Sequence, residues 1–154
     1  MAKKKNTLIW IFLAGAAVCT AVALDVTFRR PETNSILVAV GIVLIIFGFI
    51  LREASHVSLG RNFTYEVKIV KEHQLITTGV HKYIRHPAYT GLFIVAIGIC
   101  IAMASIIGLI AVIIILLPVG LWRVKVEEKA LRDHFGKKYI SYKNRVKAFV
   151  PYVF

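Results

Sequence analysis

The hydrophobic positions of the chain fall in continuous runs and not in alternation: Leu8 to Leu24, Ile36 to Leu51, and Gly91 to Trp122. Such runs predict helices that cross a hydrocarbon layer about 30 Å thick, a task for roughly 20 apolar residues each. The last run holds 32 residues without a charged side chain. As one helix it would be about 48 Å long, too long for a single crossing. Two antiparallel spans turning near Ala104 and Ser105 would each reach about 24 Å, borrowing flanking residues or thinning the bilayer. The expected fold is an all-α integral membrane protein of about four transmembrane helices in one domain over 1–154. Its spans are expected near 8–24, 36–51, 88–104 and 106–122, the last two as a tight hairpin.

The polar positions fill in the rest. The segment 52–87 is longer than a connection requires and carries four of the five histidines. In the tail 123–154, Leu131, Phe135, Tyr139, Tyr142, Val146 and Phe149 recur at helical spacing with Lys and Arg between them. That pattern predicts an amphipathic helix at the membrane surface or over the loop, interrupted by Gly136 and ended by Pro151.

Composition agrees with this picture. Hydrophobic residues make up 58% of the 154 and the mean hydropathy is +0.72, against roughly 45–50% apolar residues in soluble domains. The net charge of +12 would point to nucleic acid in a soluble protein. Here, four spans would put 18 of the 20 basic residues on one side and only Arg29 and Arg30 on the other. Three spans would divide them almost evenly. Basic loops stay cytoplasmic, so four spans with both termini cytoplasmic are expected, the charge meeting anionic lipid and no nucleic acid. The outer turn 25–34 is assigned no chemistry.

Two features have rival readings. Lys3–Lys5 followed by an apolar run and Ala21-Val22-Ala23 has the layout of a secretory leader. The run is long for one, and a retained span is expected. Cys19 and Cys100 lie inside apolar runs without metal or redox spacing and read as core-filling residues. The five histidines form no ligand pattern, so no metal is expected.

Two constellations carry the candidate chemistry. The first runs from His73 through Gly79, His81 and Arg85-His86-Pro87-Ala88-Tyr89 to Gly91. Pro87 is suited to open the third span, and a helix start offers free N–H groups to an anion. Gly79 and Gly91 would allow a turn or close backbone approach to a ligand. The plain alternative is an interfacial anchor. The second is Arg123 with Glu127 and Glu128, Arg123 and Glu127 sharing a helix face. They could be a surface ion pair, or an anion holder beside a ligand-binding carboxylate.

Together these segments, from Leu59-Gly60-Arg61-Asn62-Phe63 through His73-Gln-Leu-Ile-Thr-Thr-Gly79 and Arg85-His86-Pro87-Ala-Tyr89-Thr-Gly91 to Arg123, Glu127-Glu128, Phe135-Gly136, Tyr139 and Tyr142, resemble the isoprenylcysteine carboxyl methyltransferase family, within a wider group that includes phospholipid N-methyltransferases. The resemblance implies a membrane methyltransferase using S-adenosylmethionine, with a lipid-like acceptor entering from the bilayer. It implies that the loop and C-terminal helix form the cofactor site on the cytoplasmic side. By motif position, His73, Gln74, Leu75 and Ile76 would contact the cofactor, and His86, Pro87, Ala88 and Tyr89 would complete its pocket. Glu127 or Glu128 would hold one of its polar groups. Arg123 would orient the acceptor carboxylate. His81 stands where the family commonly has a tyrosine and would stack on the cofactor or hydrogen-bond to it. The alternatives are N-methylation of an amine-bearing lipid and a non-enzymatic scaffold binding a lipid or partner protein.

Overall fold

The apolar runs become helices longer than the runs themselves. The computed structural model describes residues 7–32, 34–60 and 74–150. Helix α1 covers Thr7–Arg29 and α2 Ser35–Leu59. Asn34 separates them, its side-chain oxygen accepting the amides of Ile36 and Leu37 at 2.9 and 3.2 Å, an N-cap that satisfies otherwise orphaned donors. Gly60, at φ 50°, ends α2. After a single 3₁₀ turn, Gly79–Lys82, helix α3 spans Pro87–Ala102 with Pro87 in its first turn. Helix α4 (Ile106–Ala111), a π turn (Val112–Leu116) and α5 (Leu117–Phe135) follow one another as a continuous 30-residue helix. Helix α6 is Lys137–Arg145.

Three of these helices are long and apolar enough to cross a membrane: α1, α2 and the unit Ile106–Phe135. Helix α3 is apolar but has 16 residues. The long apolar run breaks at Met103–Ser105, where Ala104 takes φ 47° and Ser105 caps α4, its hydroxyl accepting the Gly108 amide at 3.0 Å.

Several boundaries differ from the sequence reading. Helix α1 continues past Leu24, so Asp25 is helical and buried instead of part of a turn. It accepts the Ser105 hydroxyl at 2.7 Å, the Ile107 amide at 3.2 Å and the Arg29 guanidinium at 3.0 Å. Arg29 also reaches the Ala104 carbonyl. The C-terminal end of α1 is thereby tied to the break between α3 and α4. Helix α2 continues past Leu51 to Leu59, because charge ends an apolar run but not a helix. The C-terminal stripe is not one helix: Gly136, at φ 54°, separates α5 from α6, and Val146 is extended. Instead of continuing the helix, Ile84 and Lys147 form a parallel bridge, and the amides of Arg85 and His86 donate to the carbonyls of Lys147 and Ala148 at 2.8 and 3.0 Å. Lys3–Lys5, Arg61-Asn62-Phe63, His73 and Pro151 lie outside the described residues.

Helices α2 and α3 meet through glycine. A Cβ on Gly48 would stand 2.7 Å from the Gly91 carbonyl, and one on Gly98 2.8 Å from the Gly41 carbonyl. The pairs are seven residues apart on each helix and run in opposite order, so the helices are antiparallel with backbones in contact. Gly91, expected at a turn or a ligand, instead serves this helix contact. On the other side, Ala14, Val18 and Val22 of α1 pack with Ala96 and Cys100 of α3 and with Ala111, Val112 and Leu116. Cys100 is fully buried there, whereas Cys19 is exposed. The π turn precedes Pro118. Leu117 donates to the Val112 carbonyl, five residues back, a widening that relieves the clash a proline ring makes with the preceding turn.

Candidate functional site

Pro87 and Glu127-Glu128 are distant in sequence, but packing brings the start of α3 against the polar half of α5. Three helices converge on Arg123, which is 5% exposed. Its Nε donates to the Tyr89 hydroxyl at 2.7 Å and a terminal nitrogen donates to the Thr7 hydroxyl, also at 2.7 Å. The Tyr89 hydroxyl in turn donates to Glu127 Oε2 at 3.1 Å. The i,i+4 pair expected on α5 is thus joined through a tyrosine of α3. A buried guanidinium needs such partners, since an unpaired buried charge costs several kcal/mol or more.

Glu128 belongs to a second cluster. One of its carboxylate oxygens accepts Arg85 at 3.0 and 2.7 Å and lies 3.2 Å from His86 Nε2, while the other accepts the Lys143 ammonium at 2.6 Å. Arg85 also donates to the carbonyls of Lys143 and Val146. The carboxylate therefore fastens the motif segment to α6 and to the chain beyond it. His86 is buried, with its ring edge-on to Tyr89 at 5.9 Å and 6.0 Å from the Phe149 ring. Phe149 is fixed by its own carbonyl, which accepts the Thr90 hydroxyl at 3.2 Å.

A third group forms around the Thr78-Gly79 turn. Gly79 has φ 59°, which favours glycine, and a Cβ there would displace the Ser58 hydroxyl, 2.8 Å away. Ser58 donates to the Thr78 carbonyl at 3.2 Å, and His81 Nδ1 lies 3.3 Å from the same hydroxyl. The His81 carbonyl accepts the Tyr142 hydroxyl at 2.6 Å. Burial, and secondarily the neighbouring His86, push the His81 imidazole down to about pKa 4, so it is neutral at neutral pH. Burial pushes the Tyr142 phenol up to about 12.

A cleft of about 700 Å³ opens between the 74–77 segment and the α5–α6 corner. Gln74, Leu75 and Thr77 line one side; Phe135, Tyr142 and the cations Lys137, Lys138 and Arg145 are on the other. The sequence-derived residues thus separate. Gln74 and Leu75 face the cleft; Ile76 is half-buried beside them. His86 and Arg123 are buried and Tyr89, Glu127 and Glu128 half-buried in a polar network beyond the residues that line the cleft, with Pro87 fully buried and Ala88 half-buried at the start of α3. His81 is a buried link between α2 and α6. Sequence reasoning missed Thr7 and Lys143, and gave Arg85 no role. Arg85 adjoins His86 in the motif and was open to discovery; Thr7 stands at the head of an apolar run, where nothing local marks a partner on α5.

Comparisons with known proteins follow the same segments. Residues 39–133 match the profile of the isoprenylcysteine carboxyl methyltransferase (ICMT) family. The chain is 36% identical over 115 residues to protein-S-isoprenylcysteine O-methyltransferase B of Arabidopsis thaliana, covering 73% of this chain and 58% of that protein. It is 35% identical over 128 residues to the Saccharomyces cerevisiae enzyme of that name, covering 82% and 54%. The human relative is 32% identical over 127 residues, covering 80% and 45%. The chain spans about half the length of the curated relatives it matches. Its fold is similar to a solved structure of the eukaryotic intramembrane Ras methyltransferase ICMT, with a TM-score of 0.74 and 25% identity, covering 92% of this chain and 52% of that one. The chain is an integral membrane protein and belongs to the isoprenylcysteine carboxyl methyltransferase family.

Proposed function

We propose that this chain is a membrane methyltransferase that uses S-adenosylmethionine to esterify the carboxylate of a lipidic acceptor such as an isoprenylated cysteine. The observation that carries this reading is the Tyr89 hydroxyl standing between Arg123 and Glu127. It sets a carboxylate-binding cation and a cofactor-binding carboxylate at a fixed separation where the apolar run ends.

The residues present fit the cofactor. A cleft of about 700 Å³ lies within the roughly 300–1,000 Å³ usual for such sites. Gln74, Leu75 and Ile76, with His73, contact the cofactor partly through the backbone. Lys137, Lys138 and Arg145 attract its carboxylate. Pro87, Ala88, Tyr89 and His86, which lie beyond the lining of that cleft, would complete the pocket at the start of α3, with His81 supporting the turn. Glu127 engages a polar group, because Tyr89 is its one donor among the bonds described. Glu128, with both oxygens engaged, holds the polar network in place. When bound, the cofactor supplies an electrophilic methyl group. Arg123 orients the acceptor carboxylate, which is already ionised at neutral pH and needs no base. An amine acceptor would need one, whereas this site requires none for a carboxylate. The family match to isoprenylcysteine carboxyl methyltransferases supports the carboxylate reading over N-methylation. The protein contributes chiefly alignment and exclusion of water.

The charge distribution supports four crossings, α3 and α4–α5 as a hairpin, with both termini and the site cytoplasmic and the basic residues facing anionic lipid. The test is a pair of variants. Arg123→Ala abolishes transfer and spares cofactor binding, while Glu127→Ala weakens cofactor binding. Undiminished turnover in the Arg123 variant would contradict this reading.

A further inference from the structure

The family match begins at residue 39, after the end of α1 at Arg29, yet α1 reaches the site. Thr7 is 1% exposed and its hydroxyl accepts Arg123 at 2.7 Å. The position of that hydroxyl is set from the opposite end of the same helix. Asp25, buried and bonded to Ser105, Ile107 and Arg29, fixes the axial register of α1 against the α3–α4 break. Eighteen residues separate Thr7 from Asp25, about 27 Å of helix, so α1 acts as a strut with a buried polar contact at each end. Between those ends, Ala14, Val18 and Val22 are packed in the core, which holds the strut in place laterally.

We infer that Thr7 is a positioning residue for the acceptor: it fixes the rotamer of Arg123 from a helix outside the matched family segment. This rests on the proposed carboxylate-binding role of Arg123. The Tyr89 hydroxyl orients the guanidinium from α3 and Thr7 from α1, so its plane is set from two directions before an acceptor arrives. Without the Thr7 hydroxyl, the restraint from α1 is lost and the guanidinium is held from α3 by Tyr89 with its orientation less narrowly set. An acceptor then meets Arg123 in several orientations instead of one, and the loss falls on acceptor binding while the cleft lined by Gln74 and Leu75 is untouched.

The test uses the full chain in detergent or vesicles, with Thr7→Val and Thr7→Ser variants. A farnesylcysteine carrying a free carboxylate and its methyl ester are the probes. Thr7→Val is nearly isosteric and removes only the hydroxyl; it is expected to raise the KM for the acid by roughly tenfold, the size expected for a lost hydrogen bond to a charged group. The dissociation constant for S-adenosylmethionine stays unchanged, and Thr7→Ser restores the KM. Direct binding provides a readout that does not depend on turnover: the parent chain binds the acid more tightly than the ester, and Thr7→Val loses most of that preference. Unaltered acid preference and KM in Thr7→Val would overturn the inference. So would a parallel loss in Thr7→Val and Thr7→Ser, or weakened cofactor binding in Thr7→Val, either of which marks a merely structural contact. A parent chain that prefers the acid but transfers no methyl group, with that preference lost in Thr7→Val and restored in Thr7→Ser, would contradict the methyltransferase reading and leave the Thr7 inference supported.

Discussion

Arg123 Nε donates to the Tyr89 hydroxyl at 2.7 Å, joining α5 to the first turn of α3. The same hydroxyl donates to Glu127, so one oxygen couples a buried cation to a carboxylate four residues along the chain. Tyr89→Phe removes that oxygen and keeps the ring. Loss of a bond to a charged group costs roughly 1.5–3 kcal/mol, and kcat/KM should fall by about ten- to a hundredfold with the helices intact by circular dichroism. Steady-state kinetics checks this, with a drop below twofold as the contrary result.

Glu128 is 13% exposed at its side chain and is shared among Arg85, His86 and Lys143. Glu128→Gln leaves the Arg85 charge without its counter-ion and should cost about 3 kcal/mol, as broken buried pairs do. Lys143, 46% exposed, contributes little, and Lys143→Ala should cost under about 1 kcal/mol. Thermal denaturation in detergent ranks the two variants. Equal losses would contradict the division between anchor and surface partner.

His81 gives the fold an acid limit. Its folded pKa lies near 4, below its ordinary value of 6.5, so the unfolded chain binds the proton more readily between those values. Its contribution to stability is complete above about pH 6.5 and is lost as pH falls toward about 4. His81→Gln should flatten the stability profile across that window. A profile identical to that of the parent chain would show that His81 does not set the limit.

Glycine at the α2–α3 contact is a matter of space. A Cβ on Gly91 falls on the Gly48 carbonyl, whereas one on Gly15 meets nothing within 4 Å. Gly91→Ala should therefore destabilise by about 1–3 kcal/mol, as overpacking does. Gly15→Ala should be neutral or slightly stabilising, by helix propensity. The comparison is a melting-temperature difference between two substitutions of the same chemistry.

The sequence carried the helical architecture because apolar length is a local quantity. Gly91 to Trp122 is too long for one span, and it breaks at Met103–Ser105. Pro87 reads as a helix start from its missing N–H alone. What escaped depends on distant partners. Asp25 looks like a turn residue until Ser105 and Ile107 are beside it. Gly91 looks like a hinge until the Gly48 carbonyl occupies the missing Cβ. The stripe from Leu131 to Phe149 keeps helical spacing to its end, but pairing of Lys147 with Ile84 draws Val146 out of the helix. At the site, the motif named His86, Tyr89, Arg123 and Glu127. It did not distinguish the roles of Glu127 and Glu128, because that difference lies in how many donors each carboxylate already has.

The most direct measurement is incubation of the full chain with methyl-labelled S-adenosylmethionine and a panel of acceptors including farnesylcysteine and phosphatidylethanolamine. The account predicts label on the prenylcysteine in a base-labile form, as a carboxyl methyl ester requires. Base-stable label on the amine-bearing lipid, or no transfer to any acceptor by a chain that binds the cofactor, would contradict it.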